Sequence, residues 1–137
     1  MGAPRVVLAD DNKALLDSVR ELLAEEFDVV ATAADGQAAF EAARALRPEA
    51  VVLDISMPIL GGLEVARRLS ALPDRPQIVI LSVHEGPEFL DAARDAGASG
   101  YVFKRSACVD LIRVLRESLA GRRAFPDLTG EREPLPD

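Results

Sequence analysis

The chain has 137 residues, 49% apolar and 28% charged, the size and balance of one globular domain that can bury a core without disulfides or structural metals. Its 16 Lys and Arg against 23 Asp and Glu leave a net charge of −7, so it lacks the basic face that counterion release from nucleic-acid phosphates requires. One cysteine excludes a disulfide framework, no apolar run reaches the ~18 residues of a membrane span, and Met1-Gly2-Ala3-Pro4-Arg5 has no signal-peptide character; the expectation is a cytoplasmic domain with no direct nucleic-acid or membrane partner.

Val6-Val7-Leu8-Ala9 reads as a first strand, followed at once by Asp10 and Asp11. Leu15, Leu16, Val19, Leu22 and Leu23 then share one helical stripe, with Asn12 in place to cap it. Val29-Val30-Ala31 is a second strand, ending in Thr32 and Ala33, and an alanine-rich helix from Gln37 to Arg47 stops at Pro48. Val51-Val52-Leu53 leads into Asp54, and the next helix carries Leu63, Val65, Ala66 and Leu69 before Pro73. Ile78-Val79-Ile80-Leu81 leads into Ser82. A fourth helix from about Pro87 presents Phe89, Ala92, Ala93 and Ala96, with Gly97 as its C-terminal cap. Tyr101-Val102-Phe103 leads into Lys104, and a fifth helix from Ser106 stacks Cys108, Leu111, Ile112, Leu115 and Leu119 up to Gly121. Cys108 is therefore expected in the core.

None of the five apolar runs alternates with polar residues, so each reads as a strand covered on both faces. Five strand–helix repeats mean a doubly wound α/β sandwich, whose functional groups lie beyond the carboxyl ends of the strands. Four of those ends carry chemistry: Asp10 and Asp11, Asp54, Ser82 and Lys104. Three carboxylates on one rim repel each other unless a cation sits among them, and all-oxygen ligation favours Mg²⁺. A divalent cation, the Lys104 ammonium and the Ser82 hydroxyl suit the three peripheral oxygens of a phosphoryl group. Asp54, between the acidic pair and Lys104, is the expected nucleophile.

Asp10-Asp11, Asp54 followed by Met57-Pro58 and Gly62, Ser82, and Tyr101 three residues before Lys104 together resemble a response-regulator receiver domain of two-component signalling, over residues 5–121. Leu53-Asp54-Ile55-Ser56-Met57-Pro58 and Leu81-Ser82-Val83-His84-Glu85 are similar to the NarL/FixJ-like subgroup, whose members usually carry a C-terminal DNA-binding domain. The resemblance implies a flavodoxin-like (CheY-like) α/β fold, with five parallel strands in the order 2-1-3-4-5 and five helices. It also implies that Asp54 takes a phosphoryl group from a histidine kinase or phosphotransfer protein. Asp11, Asp54 and the backbone carbonyl of Ser56 would then ligate Mg²⁺, with Asp10 acting through a water. Lys104 would pair with the phosphoryl group, and Ser82 would swing toward it, vacating space for Tyr101 to turn inward. That movement would shift the surface of the fourth helix, fifth strand and fifth helix, read by a downstream protein or a second copy. Such a domain assists only its own phosphorylation and dephosphorylation, and is otherwise no enzyme.

The chain departs from the family at two places. Arg105 stands where most receivers have a cis proline after the lysine, leaving the Lys104–Arg105 peptide open between trans and strained cis. Val83 stands where alanine or glycine is frequent, and is expected to narrow access to Asp54. His84, the only histidine, reads as a loop residue at the rim. Residues 122–137 read as a linker-like or disordered tail, too short and proline-broken for a helix-turn-helix. The expectation is a stand-alone receiver, with the N-terminal fragment of a LuxR-type regulator, or a degenerate receiver acting as a constitutive interaction module, as alternatives. A haloacid-dehalogenase-type phosphatase would need a second aspartate where Asn12 stands. A flavodoxin would need a hydroxyl- and glycine-rich phosphate loop where Asp10 and Asp11 stand.

Overall fold

The computed structural model describes residues 2–128. Five strands, β1 (Arg5–Ala9), β2 (Asp28–Ala33), β3 (Ala50–Leu53), β4 (Gln77–Ser82) and β5 (Gly100–Phe103), alternate with helices α1 (Lys13–Leu23), α2 (Gly36–Leu46), α3 (Gly62–Ser70), α4 (Pro87–Asp95) and α5 (Ala107–Leu119). The strands pair in parallel in the order β2-β1-β3-β4-β5, which is the expected CheY-like fold. Because successive strand residues face opposite sides, the sheet divides its apolar residues between two cores. Val7, Ala9, Val51, Leu53, Ile78, Ile80, Tyr101 and Phe103 pack with α2, α3 and α4. Val6, Leu8, Ala50, Val52, Val79, Leu81 and Val102 pack with α1 and α5. Burial on both faces is why the central strands read as unbroken apolar runs.

Local chemistry sets most of the boundaries. Asn12 caps α1 by accepting the Leu15 N–H at 3.1 Å, and Asp35 caps α2 by accepting the Ala38 N–H at 2.8 Å. The second helix thus starts and ends one residue earlier than expected, with Arg47 left-handed (φ 49°) at its C-cap ahead of Pro48. Gly97 ends α4 as expected, at φ 99°. The fifth helix begins at Ala107, after a short 3₁₀ turn over Lys104–Ser106.

Four expectations need correction. Strand β2 lies at the sheet edge, and Val29, Val30 and Ala31 are only half-buried rather than covered on both faces. In α4 the buried residues are Leu90 and Ala93, whereas Phe89 is half-buried on a flank. Cys108 is exposed, not core. At ~100° per residue it stands off the inward stripe of Ala107, Leu111, Val114, Leu115 and Ser118. The segment after Gly121 is not simply linker-like: Ala124 forms a parallel bridge with Gly100, and Phe125 packs on the core. Residues 129–137 of that tail lie outside the described residues.

The turn from β3 into α3 brings Gly62 against the strand end that carries Asp54. A Cβ at Gly62 would lie 1.9 Å from the Asp54 carbonyl oxygen, a backbone atom with nowhere to move. Gly62→Ala should therefore lose about 2–3 kcal/mol of unfolding free energy, read from urea denaturation; an unchanged midpoint would show that this approach is not tight.

Candidate functional site

The sheet ladder continues one step beyond β1 and β3 and so fixes two aspartates by their backbones. Asp10 N–H donates to Ala33 O, and Asp54 N–H donates to Ala9 O, each at 3.0 Å. Their side chains, both buried, converge with that of exposed Asp11, so that one carboxylate oxygen from each lies within 4.8 Å of the others. Lys104, the first residue past β5, reaches back across the rim. Its Nζ lies 2.7 Å from Asp10 Oδ2 and 3.4 Å from Asp54 Oδ2. The other Asp10 oxygen accepts the Asn12 N–H at 2.8 Å, which ties the site to the capped start of α1. Three of the four strand ends named from the sequence, those of β1, β3 and β5, therefore meet at one point.

The electrostatics are unbalanced. Two like charges ~4 Å apart repel by about 4 kcal/mol at an effective dielectric of 20, and one ammonium faces three carboxylates here. Burial pushes the Asp54 carboxyl above the ordinary carboxylate range and the Asp10 charge adds to it, while Lys104 and the Ser56 N–H pull the other way without cancelling it. Burial works against the charge on Lys104, but its hydrogen bond to Asp10 and the fields of Asp54 and Asp10 outweigh it, so its pKa rises above the ordinary lysine value.

Ser82, the last residue of β4, is fully buried, and its Oγ accepts the His84 N–H at 3.0 Å. Tyr101 is turned inward at 1% exposure, with its hydroxyl donating to the His84 carbonyl at 2.7 Å. Burial also raises its phenol pKa. The His84 ring stacks on Phe89 (centroids 4.2 Å apart, planes 13° apart), and its Nε2 lies 3.3 Å from Ser56 Oγ. His84 was legible as a rim residue. Its position between Ser82, Tyr101 and Ser56 was not, because backbone hydrogen bonds leave no mark in residue types. Val83 stands 63% exposed beside it. The Lys104–Arg105 peptide is trans, as are all others among the described residues. Arg105 instead makes a two-pronged pair with Glu85, at 2.6 and 2.9 Å, which no pattern in the sequence announced.

The response regulator receiver domain family matches residues 6–116. The chain belongs to that family. Receivers are not enzymes in the usual sense; they are the signalling modules of two-component systems. This receiver is 34% identical over 128 residues to YvfU of Bacillus subtilis, named an uncharacterised transcriptional regulatory protein, covering 91% of this chain and 64% of that one. It is 37% identical over 123 residues to the response regulator MprA of Mycolicibacterium vanbaalenii, covering 90% and 52%. The chain thus spans between about half and two thirds of these relatives. Among solved structures, a LuxR-family two-component response regulator from Aurantimonas sp. SI85-9A1 superimposes with a TM-score of 0.84 at 36% identity, covering 90% of this chain and 89% of that one. The non-phosphorylated receiver of the stress response regulator RcsB from Escherichia coli gives 0.82 at 25% identity, covering 92% and 100%. No helix among the described residues is long and apolar enough to cross a membrane.

A carboxyl whose pKa is raised by folding holds its proton more tightly in the folded state. The receiver therefore loses stability as pH climbs from the ordinary carboxylate value through the raised one, and the loss persists at neutral pH. In metal-free buffer at pH 7, Asp54→Asn should gain on the order of 1 kcal/mol, and the gain should fade as pH falls through the raised value and be gone below about 4. Urea midpoints at the two pH values check this, and a variant no more stable than wild type at pH 7 would refute it.

Proposed function

We propose that this receiver takes a phosphoryl group on Asp54 from a histidine kinase or phosphotransfer protein, and passes the change through the α4-β5-α5 surface to a downstream protein or a second copy. In a longer LuxR-type regulator the same change would act on an attached DNA-binding domain. Residues 5–121 form the phosphoacceptor unit in this reading, and it works in the cytoplasm. The observation that carries it is the meeting of three carboxylates within 4.8 Å of one another, with the ammonium of Lys104 against two of them.

The donor set fits Mg²⁺, since it offers only hard carboxylate oxygens whose charge one ammonium compensates only in part. Asp11, Asp54 and the backbone carbonyl of Ser56 would hold the ion, with Asp10 acting through a water. Once bound, the ion offsets the carboxylate repulsion and draws charge from phosphoryl oxygens. In the transfer, Asp54 Oδ attacks phosphorus and a P–O bond forms. The donor's P–N bond breaks with its electron pair remaining on the imidazole nitrogen, leaving a mixed carboxylic–phosphoric anhydride. Lys104, already 3.4 Å from the Asp54 carboxylate, brings its positive charge to the new phosphoryl oxygens. Ser82 spends a lone pair on the His84 N–H and keeps its own proton to donate. Phosphoryl bound at Asp54 would thus compete for Lys104 and Ser82, and the backbone at His84 would feel the change.

One observation favours a second reading, a constitutive interaction module: Tyr101 is inward already. Intact-protein mass spectrometry after incubation with Mg²⁺ and acetyl phosphate separates the two. The expected result is one added phosphoryl group, absent in Asp54→Asn and absent with EDTA. A stable adduct in Asp54→Asn would overturn the assignment of the acceptor. No adduct in wild type, together with no beryllofluoride binding, would leave the constitutive module.

A further inference from the structure

The edge of β5 that faces away from β4 is occupied by this chain's own tail. Tyr101 N–H donates to Ala124 O at 3.0 Å and Ala124 N–H donates to Ser99 O at 2.9 Å, which makes the parallel bridge to Gly100. The end of α5 aims the chain there. Gly121, at φ 84°, gives its N–H to Ser118 O at 3.0 Å, and Arg122 gives its N–H to Glu117 O at 2.9 Å. This is the paired closure that reverses a chain leaving a helix. Alternation then sends Ala124 to the α5 side of the sheet and Phe125 to the α4 side, where they join the two separate cores. The Phe125 ring lies 6.4 Å from that of Tyr101, and the Arg94 guanidinium sits 4.3 Å from its centroid while also pairing with Asp91 at 3.2 Å. Pro126 follows and has no N–H to extend the ladder. Beyond the Arg122–Glu117 ion pair at its start, the segment 122–126 is held to the sheet by the bridge at Ala124 and the ring of Phe125, contacts of the kind that can open locally without global unfolding.

We propose that the outer edge of β5, with Arg94 and Tyr101, is an interaction surface whose resident occupant is this chain's own segment 122–126, and that the seating of Phe125 and the burial of Tyr101 are two sides of one equilibrium. Phe125 completes the wall over the Tyr101 ring, and the Tyr101 N–H holds the strand that carries Phe125. Lifting either element exposes the other. A protein that binds this face must first displace Phe125, so the segment acts as a competitor in cis. The inference stands whether or not Asp54 accepts a phosphoryl group.

Tyr101 is the only tyrosine and there is no tryptophan, so tyrosine emission from the full chain reports this ring alone. Acrylamide quenching of that emission and amide exchange at Tyr101 and Ala124 test the proposal in wild type and in Phe125→Ala. The expected result is at least tenfold faster exchange at both amides in the variant, together with greater quenching of Tyr101. Arg94→Ala should shift both readouts in the same direction, and Phe125→Leu, which keeps apolar bulk over Tyr101 and adds no second tyrosine, should bring them back toward wild type. An unchanged circular dichroism spectrum and urea midpoint in Phe125→Ala would exclude general unfolding as the cause. Unprotected Ala124 exchange in wild type would overturn the seating. A Tyr101 ring still shielded in Phe125→Ala, with Ala124 exchanging freely, would overturn the coupling.

Discussion

The site of this receiver depends on one shortage: three carboxylates converge at the end of a buried sheet, and a single ammonium lies against two of them. Lys104 lies 2.7 Å from Asp10 and 3.4 Å from Asp54, and it is the only fixed cation in contact with either among the described residues. The repulsion that remains would push the rim apart were the aspartates free to move. They are not, because the ladder bonds of Asp10 and Asp54 and the close approach of Gly62 set their backbones. The fold thus tolerates local electrostatic cost in exchange for a site that is strongly biased toward any group able to balance the charge.

The same shortage gives the site a way to be heard elsewhere. Lys104 and Ser82 sit at the ends of adjacent strands, β5 and β4, and Lys104 lies 3.4 Å from Asp54. Ser82 is bonded to the backbone of His84, and His84 to the hydroxyl of Tyr101. Tyr101 in turn lies against Phe125. A continuous set of contacts therefore runs from the rim down β5 to the segment beyond α5.

The architecture was largely legible in the sequence because burial on both faces writes itself as unbroken apolar runs, and because the chemistry of this fold class falls directly after them. Asp10, Asp11, Asp54, Ser82 and Lys104 could be read as one group by counting strand ends. The misreadings share a different physical origin. Cys108 stands next in the chain to an apolar stripe but not on it, because one residue of helix turns the side chain by ~100°. The edge strand β2 has the same residue types as a central one, and only its place in the sheet leaves it half covered. The seating of Ala124 rests on backbone hydrogen bonds and on where α5 ends, so a composition rich in proline and charge concealed it. Arg105 and Glu85 are 20 residues apart, and nothing local foretells their pairing.

His84 shows how side chain and backbone can serve separate ends at one position. Its N–H and carbonyl link Ser82 to Tyr101, and every residue except proline supplies those two groups. Its ring lies on Phe89 and beside Ser56, bridging the loops after β3 and β4 at the mouth of the site. The identity of residue 84 therefore bears on the mouth, while its mere presence bears on the relay. The two sets of contacts are separable, because a substitution at 84 that keeps the backbone path removes the ring from Phe89 and Ser56 but leaves the N–H and carbonyl for Ser82 and Tyr101. That separation rests on the hydroxyl of Tyr101 reaching a carbonyl rather than a side chain.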